Sequence, residues 1–264
     1  MKIGFLITAR LKSTRLPFKI LKDLNGKTVV ERVIDRAKQI RDISKIVLCT
    51  SFNPQDKPLI DLAKKNSVEI FAGEENDVLK RFLGATNVFG LKYFLSITAD
   101  NPLFSIKYSN LMVERLKKYK HDFIKIEGLP LGTRPYGLKT KALERVCNVK
   151  DIKDTEIWGY FFDRPEIFNV GCIKVKGRLK RPDLRLTLDY GEDYELINNV
   201  YSNITFRNTL ELDKAIAYLD ANSEIAKLNQ GCIQRDLDRG IKDHIDSIFG
   251  GRTKTKFFIE KDKK

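Results

Sequence analysis

Ile3-Gly4-Phe5-Leu6-Ile7-Thr8-Ala9-Arg10-Leu11-Lys12-Ser13-Thr14-Arg15-Leu16-Pro17-Phe18-Lys19 is the stretch from which the rest of the chain is read. The apolar run Ile3 to Ile7 has the length and composition of a short buried strand. It empties directly into a loop that carries four cations, Arg10, Lys12, Arg15 and Lys19. In an open α/β sheet ligands sit beyond the carboxyl ends of the strands, so a cationic loop leaving the first strand is where a polyphosphate would be held. Charge alone also fits an ordinary solvated loop, because surface lysine and arginine are common. The order of residue types distinguishes the two.

Composition narrows the remaining choices. The 264 residues, 42% hydrophobic and 32% charged, suit one large domain, or one domain with an appendage, around a sizeable core. No apolar run is long enough to cross a bilayer. The five-residue apolar start reaches Arg10 at once and is neither a signal peptide nor an anchor, so a cytoplasmic protein without membrane insertion is expected. A formal net charge of +14 raises nucleic-acid binding as an option. No helix-turn-helix, zinc-finger or aromatic RNA-binding signature accompanies that charge, and anionic substrates explain its sign, so no nucleic-acid partner is expected.

Cys49, Cys147, Cys172 and Cys232 stand far apart with no Cys-x-x-Cys pair, which argues for reduced thiols over zinc or a disulfide framework. His121 and His244 have no matching ligand cluster. Chemistry is left to carboxylates, cations and a metal held by oxygen.

Along the chain, strand and helix patterns alternate. Thr28 caps a helix with apolar Val29, Val30, Val33, Ile34 and Ala37. Strands follow at 45–50 and 68–71 with a helix between them, and Tyr93 to Ile97 reads as a fourth strand. This alternation predicts a parallel sheet with right-handed crossovers. A helix at 105–119, a strand at 122–126, a strand at 167–175 and a helical pattern from Thr209 to about Asp246 complete it. The fourth strand delivers Thr98-Ala99-Asp100-Asn101-Pro102-Leu103. An acid where a central strand ends, beside a cationic loop, suits Mg²⁺, which takes one or two carboxylates together with substrate phosphates. Alone, the Asp-Asn-Pro run reads as turn chemistry.

The first loop, Ala-Arg-x-x-Ser-Thr-Arg-Leu-Pro-x-Lys-x-Leu, resembles the opening signature of the CMP-sugar synthetases. These are the 3-deoxy-manno-octulosonate and acylneuraminate cytidylyltransferases and, above all, the SpsF-like spore-coat polysaccharide branch. Two further motifs keep the same order. Thr98 to Leu103 resembles the family's Thr-Gly-Asp-x-Pro-Leu element, and Leu184-Arg-Leu-Thr-Leu-Asp189-Tyr190-Gly191-Glu192-Asp193-Tyr194-Glu195-Leu196 resembles its late Leu-Arg-x-Thr-Val-Asp element. Gly73 to Phe82 is similar to the Gly-x-x-x-Asp-Val-Leu-x-Arg-Phe pattern of the SpsF-like branch.

The resemblance covers roughly residues 1 to 200. It implies a three-layer α/β sandwich with a mostly parallel sheet, the GT-A-like nucleotidyltransferase fold. Residues 1–205 would form the transferase domain, with an acceptor or dimerisation excursion near 125–180; 206–250 would be a helical extension and 251–264 a basic flexible tail. The implied nucleotide-binding residues are Ala9, Arg10, Ser13, Arg15, Lys19, Asp77 and Arg81. Asp77 also suits a helix cap. Asp100 and Asp189 would hold Mg²⁺, while Arg15, Lys19 and Asp100 would form the catalytic set.

Three departures stand out. Phe18 occupies a position where relatives usually have Gly. The acidic acceptor segment of relatives is replaced by Arg134-Pro-Tyr136-Gly-Leu-Lys139, which suits an anionic sugar or a phosphorylated acceptor. Thr155-Glu156 stands where relatives have Glu-His, followed by an apolar cluster from Ile157 to Phe162 that reads as core or dimer contact. The implied activity is cytidylyl transfer from CTP to a sugar or sugar acid for cell-surface polysaccharide synthesis, with pyrophosphate released, by a homodimer. Transfer to a phosphorylated acceptor with a CDP-linked product, and a non-catalytic nucleotide-binding homologue, are the alternatives.

Overall fold

The computed structural model describes residues 1–250, so the basic tail expected from 251 lies outside the described residues. In chain order the elements are β1 (Ile3–Thr8), α1 (Val29–Ala37), β2 (Lys45–Ser51), α2 (Lys57–Lys65), β3 (Glu69–Gly73), α3 (Val78–Phe89), β4 (Tyr93–Thr98) and α4 (Ile106–Tyr119). There follow β5 (Phe123–Glu127), β6 (Tyr136–Lys139), α5 (Thr140–Val149), β7 (Val170–Lys174), α6 (Gly191–Asn203), α7 (Leu212–Ala221), α8 (Ser223–Ala226) and α9 (Arg239–Phe249).

The strands form one seven-stranded sheet in the order β3-β2-β1-β4-β6-β5-β7. β6 alone runs antiparallel to its neighbours, and the remaining pairs are parallel. Every residue of β1 is buried, as a central parallel strand covered on both faces requires. Its side chains alternate between two cores. Ile3, Phe5 and Ile7 join the cluster with α1 and α4, while Leu6 joins the one with α3 and α5. Helices therefore cover both faces, which makes the three-layer mostly parallel architecture expected from the sequence.

Caps fix the helix entries. Thr28 and Glu31 form a reciprocal capping box at α1, and Asp77 accepts from the Lys80 amide at the start of α3. Arg36, fully buried, donates to the carbonyls of Phe104 and Leu210 and so ties α1 to the loops that follow β4 and precede α7.

Three elements differ from the sequence expectation. The strand predicted at 167–175 is confined to Val170–Lys174, because the Phe168 amide bonds back to the Arg164 carbonyl in a turn. The helix expected over 105–119 starts at Ile106, because Ser105 stands outside it as the cap and accepts from the Tyr108 amide. The helical pattern from Thr209 to Asp246 is broken between α8 and α9 by a run without helical hydrogen bonding. Asn229 turns its side chain inward there to bond the Arg185 carbonyl and Asp193, and residues 232–238 form neither helix nor strand.

Candidate active site

β1, β2 and β4 end side by side in parallel register, Thr8 opposite Cys49 and Thr98. Their loops therefore leave the same edge of the sheet, the edge where α/β ligands bind. The loop after β1 is held from below. The Leu11 amide donates 2.7 Å to Asp56, a buried carboxylate that also accepts from Ser51 Oγ. Phe18 then adopts φ 53°, ψ 25°, the left-handed geometry for which glycine is the usual residue. The loop keeps that path with phenylalanine by turning the ring out to solvent.

The turn at Phe18 aims Lys19 inward. Its Nζ lies 2.5 Å from Asp100 Oδ2 and 2.7 Å from Asp189 Oδ1, with all three side chains mostly buried. Residues 81 and 170 positions away in sequence thus meet on one ammonium. Arg15 Nη2 reaches the same Asp189 oxygen at 2.8 Å, and Arg185 Nη2 the other at 3.0 Å.

The Asp189 turn is built by Asp193, which is fully buried. It accepts from the Asp189 and Tyr190 amides and from both Arg185 Nε and Nη2. The Leu188 amide donates 3.0 Å to the Asp100 carbonyl and pins the two acid-bearing segments together. Gly132 allows the approach. At φ +85°, a side-chain carbon there would lie 2.5 Å from the Thr187 amide nitrogen and 2.6 Å from Asn101 Oδ1.

Electrostatics follow from this geometry. Burial works against the charge on Asp189, but Lys19, Arg15 and Arg185 outweigh it and hold the carboxyl below its ordinary range. Burial likewise opposes the charge of Lys19, and Asp100 with Asp189 outweighs it, so the ammonium titrates above the usual lysine value. Lys19 and Asp189 are therefore both charged at neutral pH.

Two clefts meet at these carboxylates. One is lined by Ala9, Arg10, Ser13, Arg15, Lys19 and Arg81, and the other by Arg134, Tyr136, Phe123 and Lys125; Asp100, Asp189 and Trp158 belong to both. Arg10 Nη1 donates 2.8 Å to the Glu75 carbonyl, and buried Arg81 bonds the carbonyls of Glu74 and Glu75, which shapes the wall opposite the β1 loop.

The structure therefore brings together the sequence-predicted Ala9, Arg10, Ser13, Arg15, Lys19, Arg81, Asp100 and Asp189 around one cleft and places Arg134 and Tyr136 in its neighbour. It does not bring in Asp77 or Lys139. Asp77 is buried as the cap of α3 and is engaged by Lys150 and Thr155. Lys139 pairs with Asp122 and sits opposite Tyr93, at the end of β4 away from Asp100, because β6 runs antiparallel.

Sequence reading also passed over Asp56, Arg185 and Arg235. Asp56 and Arg235 stand in polar segments without motif. Trp158, the chain's single tryptophan, belongs to the cluster that reads as core or dimer contact; it is both core and cleft wall.

Asp100 Oδ2 and Asp189 Oδ1 are hard oxygen donors that converge on one point, held in this structure by the Lys19 ammonium. That donor set fits Mg²⁺ completed by substrate phosphates. Among the described residues no group of three or more His, Cys, Asp and Glu is placed to form an all-protein cage.

A family model described as Cytidylyltransferase matches residues 5–224. An uncharacterized protein of Methanocaldococcus jannaschii is 30% identical over 237 residues, which are 89% of this chain and 97% of that protein. The spore coat polysaccharide biosynthesis protein SpsF of Bacillus subtilis is 26% identical over 231 residues, 85% of this chain and 96% of that protein. Among solved structures, a cytidylyltransferase from Leptospira borgpetersenii superposes with a TM-score of 0.79 at 25% identity, covering 89% of this chain and all of that one.

Proposed function

The chain belongs to the cytidylyltransferase family, and from that premise we propose that it transfers the cytidylyl group of CTP to an anionic sugar, releasing pyrophosphate, as a step of cell-surface polysaccharide synthesis. The observation that carries this is the convergence of Lys19, Asp100 and Asp189 at the meeting point of two clefts. One cleft, lined by Arg10, Arg15 and Lys19, is suited to a triphosphate. The other, with Arg134 and an aromatic wall, is suited to the acceptor.

In this mechanism Arg10, Arg15 and Lys19 bind the phosphate chain and hold it in line with the acceptor oxygen. Positioning and charge neutralisation, rather than covalent help from the protein, dominate phosphoryl-type transfer. Arg15 and Lys19 stay protonated throughout the working pH range and neutralise charge as it builds on the departing pyrophosphate. Asp100 and Asp189 would hold Mg²⁺, which supplies Lewis-acid neutralisation of the phosphate oxygens when bound. Arg185 and Asp193 keep the Asp189 carboxylate oriented. Trp158 and Tyr136, with ring centroids 5.2 Å apart, form a rigid side to the acceptor cleft.

No helix among the described residues is long and apolar enough to cross a membrane. We place the enzyme in the cytoplasm, beside the CTP pool, as a homodimer built through the 125–180 excursion. Pyrophosphate release from CTP and Mg²⁺ with a panel of sugar acids and sugar phosphates tests the proposal, and mass spectrometry separates a CMP-linked from a CDP-linked product. No release with any member would contradict it.

A further inference from the structure

The segment between α8 and α9 lies on the site rather than behind it. At its start the Asn229 side chain donates 3.0 Å to the Arg185 carbonyl and 2.7 Å to Asp193 Oδ1. Further on, Tyr190 Oη donates to the Ile233 carbonyl, and Gln234 Oε1 accepts 2.7 Å from Arg185 Nη1. At its far end α9 is docked by buried Ile245 and Phe249 and by Asp246, which takes bonds from Tyr160 and Arg164.

Between those anchors no side chain from Gln230 to His244 is buried. The strap is therefore held by its ends, by half-buried Leu237 packed against the core, and by the same Arg185–Asp193 network that builds the Asp189 turn.

What the strap contributes is Arg235, which lines both clefts. Its guanidinium is 3.2 Å from exposed Glu156 and 3.9 Å from exposed Asp154, and Glu156 is shared with Arg10 at 3.5 Å. Exposed pairs of this kind exchange readily for a stronger, bidentate anion. The acceptor cleft also contains Arg134, which has no ion pair among the described residues.

We infer that the strap spanning 227–238 is the acceptor-side wall of the site, and that Arg235 together with Arg134 binds the carboxylate or phosphate of the acceptor. The inference rests on the cytidylyl-transfer proposal and adds to it a C-terminal segment that selects the acceptor.

The test measures pyrophosphate release with CTP and Mg²⁺ using paired acceptors. 3-Deoxy-manno-octulosonate and N-acetylneuraminate are paired with their methyl esters, and hexose 1-phosphates with free hexoses. The arm that turns over identifies which anion is read. R235A is expected to raise the acceptor KM at least tenfold, to keep the CTP KM within twofold, and to leave the melting temperature unchanged. R235K should recover part of the acceptor KM, which a merely structural strap contact would not produce.

An unchanged acceptor KM in R235A overturns the inference, as does an equal rise in the CTP KM. So does wild-type protein that CTP stabilises but that releases no pyrophosphate with any anionic acceptor. Failure of CTP to stabilise the wild type overturns cytidylyl transfer itself and is distinguished in that way.

Discussion

The two clefts that share Asp100 and Asp189 are built differently. The nucleotide-side cleft comes largely from strand ends: the loop after β1, the residues after β4 and the β3–α3 connection. The acceptor side gathers Arg134 and Tyr136 from around β6, Trp158 from an irregular stretch and Arg235 from the strap. A site at strand ends inherits its geometry from the sheet register, whereas a site made of crossing loops must be fastened piece by piece. The first should therefore be sensitive at its charges, and the second at the few residues that fasten it.

The largest expected effect tests the shared acids. Asp100→Asn or Asp189→Asn should lower kcat for pyrophosphate release about 10³-fold, the scale of losing a principal electrostatic group, while the fold survives by circular dichroism. Next comes the fastening. Asp193→Asn removes a buried charge that two Arg185 nitrogens and two amides bond, and should lower unfolding free energy by about 3 kcal/mol in urea titration. Equal stability would mean that the Asp189 turn is held by something else.

Gly132→Ala should cost about 2 kcal/mol, since it strains a positive φ and forces a carbon against the Thr187 backbone. It should reduce activity along with stability by displacing the segment that leads to Asp189.

Legibility divides along the same line. The strand ends were readable because Thr8, Ser51 and Thr98 each close an apolar run, and the acids and cations that follow keep the order of a known family. Asp100 and Asp189 stand in those motifs; the end of β4 carries the first and the Asp193-built turn the second, and both meet on Lys19. The strap was not readable, because Ile225 and Leu228 carry the helical apolar pattern of Leu212 to Leu219 up to its start; the break comes from Asn229 turning its side chain into the Arg185–Asp193 network. Lys139 was misplaced for a related reason. Nothing local in Tyr136 to Lys139 tells that β6 runs antiparallel to β4 and carries its last residue away from the site.

Two smaller effects sharpen the nucleotide side. The stabilisation from Asp189 is present above the ordinary carboxylate pKa of about 4 and is lost as pH falls through its lowered value; that from Lys19 is present below about pH 10.5 and is lost as pH rises through its raised value. Stability from the pair should be flat across the neutral range. Lys19→Met withdraws one of the charges that holds Asp189 down, so the acid limb of kcat/KM should move to higher pH, and an unmoved limb would separate Lys19 from Asp189. Smallest of all, Phe18→Gly relieves a left-handed residue but loosens the unfolded chain, and melting should register a net change within about 1 kcal/mol.

The most direct measurement is thermal stabilisation by each of the four ribonucleoside triphosphates with Mg²⁺, in wild type and in the double variant D100N/D189N. CTP at about a hundredfold over its Kd should raise the wild-type melting temperature by roughly 5 °C or more, with smaller shifts for the others and most of the CTP shift lost in the double variant. Equal shifts for all four nucleotides, or a CTP shift that survives the loss of both acids, would contradict the account.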